Sequence, residues 1–270
     1  MSITKKIIAL LTCIVLASSV MLVGCKTTSN LPEGAKLIKE GTLIIGSDCD
    51  YPPFIEMNWM NKPIGFEYEL MNLIGKNLGV KIKYLPPQNF DTLIATVAAG
   101  GVMDVGVSSF TITPDRLKEV DFCIPYFNSN QAIVALKTSN LTNYSQLAGK
   151  VIGVQSGTTG EEWARENLPT ATIKPFNQTS EALLALAAGD IYAAIYDEPV
   201  AKKHMSGNTW TQCELVQVIA TNEQYGFAVA KDNPELRDAL NQALRDLKKD
   251  GSFDKLFAKY FPGVDPPSLK

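Results

Sequence analysis

Histidine is almost missing: His204 is the only one in 270 residues. No serine–base or cysteine–base arrangement is legible, so a nucleophilic triad has no support, and His204 itself reads as a surface residue. Cysteine is scarce as well. Beyond Cys13 and Cys25 there are only Cys49, Cys123 and Cys213, an odd number at wide spacing. That fits neither a disulfide framework nor a zinc site, although one bridged pair remains open. No block of basic residues exists to track phosphates, which excludes nucleic acid as a partner. The loop Ser156-Gly157-Thr158-Thr159-Gly160 runs into two glutamates, with no Gly-Lys-Ser/Thr, so it is not a Walker loop. No metal or cofactor is implied.

Long apolar runs are confined to one place. Lys5 and Lys6 precede residues 7–23, almost wholly apolar and ending Leu22-Val23-Gly24-Cys25, the layout of a secretory leader. Roughly 20 apolar residues also span a bilayer, so an uncleaved anchor is the alternative. The Leu-Val-Gly-Cys ending resembles the lipobox of bacterial lipoproteins, which implies cleavage after residue 24 and a lipid such as palmitate on Cys25. Either way the folded part lies outside the cytoplasmic membrane. Loss of residues 1–24 removes two lysines and no acid, taking the formal charge from −3 to −5. Residues 25–36 then serve as a lipid-anchored tether. A chain with 46% hydrophobic and 20% charged residues suits one or two globular domains.

From Gly41 the elements alternate. Residues 42–46 form a short apolar strand. Phe66, Leu70, Leu73, Ile74 and Leu78 keep helical spacing and stop at Gly79, a helix-ending residue. Residues 80–85 predict a second strand, 90–99 a small helix closed by Gly100-Gly101, and 102–107 a third strand. This βαβ order implies a parallel sheet covered by helices. The pattern then recurs: residues 149–163 repeat the strand-to-helix entry of 41–54, and 182–199 repeat the Ala-Ala-Gly helix end and strand of 93–109. Two similar α/β lobes follow. Residues 131–136 and 225–230 are further strands, and Leu236, Leu240, Leu244 and Leu247 share a helical face. With the second lobe inserted, the chain crosses between lobes near 127–130 and 221–225, which makes a hinge. Ligands of open α/β sheets sit beyond the carboxyl ends of the strands, so a small molecule belongs in the cleft.

The stretch Ser108-Ser109-Phe110-Thr111-Ile112-Thr113-Pro114-Asp115-Arg116 crowds hydroxyls and an arginine onto one turn, where bending alone asks for none of them. With Thr113 as cap and Pro114 in the first turn, Arg116 sits near the positive end of a helix dipole, a mildly unfavourable place for a cation. A carboxylate gripped by the guanidinium offsets that, with Ser109 and Thr111 as flanking donors. A surface salt bridge to Asp115 or Glu119 is the plain alternative. In the second lobe Thr159 and Glu162 are spaced as a capping box, and free N–H groups at such a start attract an anion. Asp197 ends an apolar strand, where it either caps a helix beginning near Pro199 or holds a cation. One carboxylate for Arg116 and one ammonium for Asp197 describe an α-amino acid. Asp48, Tyr51, Phe54 and Phe90 gather near the first strand's exit as walls for a side chain, Phe54 reading as plain core.

These segments identify a family resemblance. "GSDCDYPPF", "GFEYELM", "NFDTLIATVAAGGVMDVGVSSFTITPDR", "VDFCIPYF", "GKVIGVQSGTTGEEWA", "AAGDIYAAIYDEP" and "QYGFAVAK" resemble the extracytoplasmic solute-binding proteins of polar amino-acid ABC transporters, over residues 36–262. The resemblance implies a two-lobed periplasmic-binding-protein fold of type II, each lobe a mainly parallel sheet flanked by helices. Lobe 1 is expected over 37–127 plus 225–265 and lobe 2 over 128–224. By the same resemblance Arg116, Thr111 and Ser109 hold the α-carboxylate together with the Thr159 backbone. Asp197 takes the ammonium, and Tyr51 and Phe90 sandwich the side chain. Asp48 lies at the side-chain end, and Gln155 and Tyr196 tune specificity. Gln155 stands where some glutamine binders have lysine, Cys123 replaces a usual serine, and Asp50 adds an acid. Those departures favour arginine or another cationic side chain over glutamine. The expected protein is a monomeric, lipid-anchored, non-enzymatic binder that delivers a free L-amino acid to a permease. The rival classes are a cyclohexadienyl (arogenate) dehydratase, which the fold also resembles, and a sensor domain.

Overall fold

Every residue of Thr42–Gly46 (β1) is buried, as expected of a strand covered on both faces. A computed structural model describes residues 29–270; the leader and Cys25 lie outside the described residues. After β1 a small antiparallel sheet of Asp50–Tyr51 (β2), Ile55–Met57 (β3) and Pro63–Ile64 (β4) leads into helix Phe66–Leu78 (α1). Helix α1 buries Phe66, Leu70, Met71, Ile74 and Leu78 and ends at Gly79, left-handed at φ 68°, a conformation that costs glycine little. Lys81–Tyr84 (β5) follows, then helix Phe90–Ala99 (α2) and Val105–Gly106 (β6). The third strand is shorter than the pattern predicts. Just before it Asp104 still donates its N–H to Ile44 O at 2.8 Å, while its carboxylate accepts the Ile38 and Ile44 N–H groups at 2.8 and 2.7 Å. The one-turn helix Arg116–Glu119 (α3) and Val120–Phe122 (β7) complete this part.

The chain then crosses into lobe 2 along Phe127–Leu136 (β8). Val151–Gln155 (β9), Thr159–Asn167 (α4), Thr172–Phe176 (β10), Thr179–Ala188 (α5), Ala193–Asp197 (β11) and Glu198–Ser206 (α6) build that lobe, and Cys213–Tyr225 (β12) returns. Ala228–Ala230 (β13), Pro234–Lys249 (α7) and Ser252–Tyr260 (α8) belong again to lobe 1. The sheets run β5-β1-β6-β13-β7 and β10-β9-β11-β8-β12. They are mixed rather than mainly parallel: β13 is antiparallel to β6 and β7, and β8 to β11 and β12. The reason is the hinge. The parallel strands end at the cleft, so a strand that enters its lobe from the hinge must run the other way.

The two crossings lie side by side as an antiparallel ribbon pairing Phe127 with Tyr225, Asn128 with Gln224 and Ser129 with Glu223. The expected single strand over 225–230 is divided at Gly226, whose N–H turns to Phe110 O at 3.0 Å. Beneath the ribbon, Phe54 meets Phe127 and Tyr225 at ring-centroid distances of 4.8 and 5.3 Å. Leu236, Leu240, Leu244 and Leu247 of α7 are buried against the same core. Cys49, Cys123 and Cys213 are all buried and free. His204 is not a surface residue. It is half-buried near Tyr196 and Trp210, and burial lowers its pKa to about 4. Among the described residues no helix is long and apolar enough to cross a membrane.

Candidate ligand-binding cleft

Thr113 sets the first half of the site. Its hydroxyl accepts the Arg116 N–H at 3.2 Å, which starts α3 and aims the arginine side chain inward. The Arg116 guanidinium donates to Thr111 O on its own lobe (2.8 Å) and to Gly157 O on lobe 2 (2.9 Å). It lies over the rings of Phe90 and Phe110 at 5.4 and 5.9 Å, a cation–π contact of the usual range. Only 9% of Arg116 is exposed, and burial lowers its pKa from the ordinary value. Among the described residues no carboxylate forms an ion pair with it within 4.0 Å; the plain alternative of Asp115 fails because Lys118 takes that acid.

Lobe 2 contributes the helix start. The residue at the N-cap of α4 is Thr158, not Thr159: its hydroxyl accepts the Glu161 N–H at 3.2 Å, and Glu161 accepts the Gly157 N–H at 2.8 Å. The capping pair therefore lies one residue before the expected Thr159–Glu162. That frees the Thr159 hydroxyl, which donates to Glu223 Oε2 at 2.9 Å; Thr111 of lobe 1 donates to the same oxygen at 2.6 Å. Glu223 comes from the hinge ribbon itself.

Asp197 occupies the N-cap position of α6 but makes no cap bond. Its carboxylate accepts from Gln131 Nε2 at 2.5 Å and from the Tyr225 hydroxyl. Gln131 also donates to Glu223 Oε1 at 3.0 Å. Burial first, and the Glu223 carboxylate second, push Asp197 up to about 7. Tyr51 reaches over from lobe 1, its oxygen accepting the Asp197 N–H at 3.2 Å.

Asp48 is held by the Ser108 hydroxyl at 2.5 Å and by Gln155 Nε2 at 2.9 Å, across the lobes. Burial raises its pKa while those two bonds pull it down. Ser109 adopts φ 49°, and both its N–H and its hydroxyl go to buried Glu67 at 2.8 and 3.1 Å. Glu67 also accepts from Tyr126, and burial pushes it up to about 7.

Tyr51, Phe90, Ser109, Thr111, Arg116, Gln155, Thr159 and Asp197 thus line one narrow cleft together with Ser108 and Thr158. Asp48 sits one bond behind the lining. Tyr196 is not brought to it. Neighbouring residues of a strand face opposite ways, so with Asp197 inward Tyr196 points toward His204, at 5.8 Å between rings. Sequence reasoning missed Gln131, Glu223 and Tyr225. A glutamine opening an apolar strand, and a glutamate in the second crossing, were the available signals.

A two-lobed α/β protein with a buried cation and a buried acid facing one hinge-side cleft is, as a class, a binder of small zwitterions. Residues 43–263 match the bacterial extracellular solute-binding proteins, family 3, and the chain belongs to that family. It is 33% identical over 224 residues to the arginine-binding extracellular protein ArtP of Bacillus subtilis, covering 82% of this chain and 86% of that one. An ancestral arginine-binding protein bound to glutamine superposes with TM-score 0.78 at 37% identity, over 83% of this chain and 99% of that one. The ancestral amino acid-binding protein AncCDT-1, a precursor of cyclohexadienyl dehydratase, gives TM-score 0.76 at 36% identity, over 82% and 96%. The family places the chain among amino-acid-binding proteins of ABC transport, outside the cytoplasm.

Proposed function

We propose that the protein captures a free L-amino acid between its lobes, with a cationic side chain preferred and arginine first, and delivers it to an ABC permease without catalysing a reaction. The observation that carries this is Arg116, buried and facing the cleft with no carboxylate among the described residues to pair with. A ligand α-carboxylate completes it, with the backbone N–H groups at the start of α4 as further donors, since Ser109 is already spent on Glu67 and the Thr111 hydroxyl on Glu223. Asp197 takes the ammonium, Tyr51 and Phe90 flank the side chain, and Asp48 and Gln155 meet its end.

Charge supports a cationic side chain. Among the described residues Asp48, Asp197 and Glu223 are buried around one buried cation, Arg116, and uncompensated buried charge is expensive. A zwitterion adds no net charge; a cationic amino acid adds one positive charge and so reduces the imbalance. A neutral polar ligand such as glutamine is the second reading, favoured by one observation: Asp48 already accepts two hydrogen bonds from protein donors. An enzymatic role of the dehydratase kind requires an acid–base group poised over a ring. Of the two carboxyls pushed up to about 7, Glu67 lies behind Ser109 rather than on the cleft lining, and Asp197, which does line it, is held by Gln131 and Tyr225 and in this reading takes the ammonium. Lipidation at Cys25 would keep the binder at the membrane beside its permease.

A thermal-shift screen against the twenty amino acids and ornithine tests the reading, because a tight ligand raises the melting temperature by mass action. Protection by arginine, lysine or ornithine is expected. Protection by none, or turnover of prephenate or arogenate, would overturn it.

A further inference from the structure

Asp50 stands on lobe 1 beside the cleft, two residues from Asp48, and by position alone it is a second acid for a cationic side chain. Its carboxylate is turned elsewhere. Oδ2 accepts the backbone N–H of Ser180 at 2.9 Å, and Ser180 lies in the first turn of α5 on the other lobe. The leading N–H groups of any helix lack partners within it, and a carboxylate placed there gains both a hydrogen bond and the favourable end of the dipole. Lobe 2 supplies only part of what α5 needs. Glu181 reaches back to the N–H groups of Asn177 and Gln178 at 3.1 and 3.4 Å, so the Ser180 N–H is satisfied from across the cleft. Among the described residues no lysine or arginine pairs with Asp50, which leaves α5 as the partner of its charge.

We infer that Asp50 is a positioning residue that latches the two lobes: closure gives α5 the acceptor it lacks, and opening removes it. The inference rests on the reading that the cleft closes on an amino acid, and it gives Asp50 a role independent of which one. A latch of this kind holds the closed form against every ligand equally. A side-chain contact would discriminate among them.

The test uses spin labels on Lys81→Cys and Lys174→Cys, exposed positions on β5 and β10 at corresponding edges of the two sheets, with Cys49, Cys123 and Cys213 buried. Interlobe distances are measured without ligand, and release of L-arginine and of L-glutamine is followed by stopped flow. Asp50→Ala is expected to reduce the closed population relative to the open one roughly tenfold, and to speed release of whichever amino acids bind by the same factor. Asp50→Asn keeps an oxygen for the Ser180 N–H and is expected to recover part of the loss. Ser180→Pro removes the donor at a helix position that tolerates proline. It is expected to match Asp50→Ala, and the double variant to be no worse than either single one. Slower or faster release of arginine alone, with glutamine unchanged, would make Asp50 a side-chain contact and overturn the latch. So would unchanged distances and rates in Asp50→Ala. If the wild type binds neither amino acid, the proposed ligand reading fails, while the lobe distances still decide the latch.

Discussion

Gln131 donates one amide nitrogen to Asp197 at 2.5 Å and to Glu223 at 3.0 Å. Two buried carboxylates therefore share a single neutral donor at the root of the hinge. Neither finds a cation among the described residues, and the cost shows in Asp197, pushed up to about 7 by burial and by Glu223. The ammonium of a bound amino acid would relieve that cost, so ligand and proton compete for the same carboxylate.

The competition gives two pH dependences of opposite sign. Asp197 must be ionised to hold an ammonium, so affinity is expected to fall as pH drops below about 7, by up to roughly tenfold per pH unit. Folding of the unliganded protein goes the other way. Asp197 and Glu67 near 7, and Asp50 near 6, bind protons in the folded state at pH values where the unfolded chain has released them. Stability therefore rises as pH falls from 8 toward 5 and is lost as pH rises through those values. Calorimetric titration and thermal melts from pH 5 to 8.5 check both signs. An affinity flat across that range would remove Asp197 from the ammonium.

Arg116→Ala is expected to weaken amino-acid binding by roughly 2–5 kcal/mol, because it leaves a carboxylate unpaired in a desolvated cleft. Arg116→Lys should recover little. One ammonium cannot hold Thr111 O, Gly157 O and a bidentate ligand with the planar fork that the guanidinium provides. Isothermal calorimetry on the two variants decides it, and near-wild-type affinity in Arg116→Ala would refute the carboxylate assignment.

Much of this architecture was legible in the chain. The helix from Phe66 stops at Gly79 because its apolar spacing and its left-handed glycine agree. The segment 90–99 ends at Gly100-Gly101 for the same kind of reason. What stayed hidden depended on partners distant in sequence. The strand Cys213–Tyr225 mixes polar and apolar residues and is held by pairing with Phe127–Leu136. Glu223 gains its meaning only where Thr111 and Thr159 converge on it, 112 and 64 residues away. Tyr196 shows the converse: it adjoins Asp197 in sequence, yet strand alternation turns it to the other face.

The capping pair at α4 was displaced by one residue, and the displacement separates two roles that adjacent threonines otherwise blur. Thr158→Ala removes the cap on the Glu161 N–H and is expected to cost about 0.5–2 kcal/mol of stability, read as a lower denaturant midpoint. Thr159→Val keeps the cap and removes the donor to Glu223. It is expected to change stability less and amino-acid affinity more. Equal losses of affinity in both variants would return Thr159 to a capping role.

Gly157 packs closely against Asp91 of the opposite lobe. A Cβ on Gly157 would stand 2.8 Å from Asp91 Cβ and 2.9 Å from its Cα, and the residue holds φ 74°, a conformation that strains any other side chain. Its carbonyl also receives Arg116, so its backbone cannot relax without moving the guanidinium. Gly157→Ala should therefore leave each lobe folded while preventing full closure. The expected outcome is a loss of affinity of at least tenfold, with an unliganded melting temperature changed far less than in a core truncation such as Phe54→Ala, for which about 3–5 kcal/mol is typical. Small-angle scattering with saturating amino acid measures the closure directly. Full compaction of the Gly157→Ala variant would show that the lobes meet some other way than across Gly157 and Asp91.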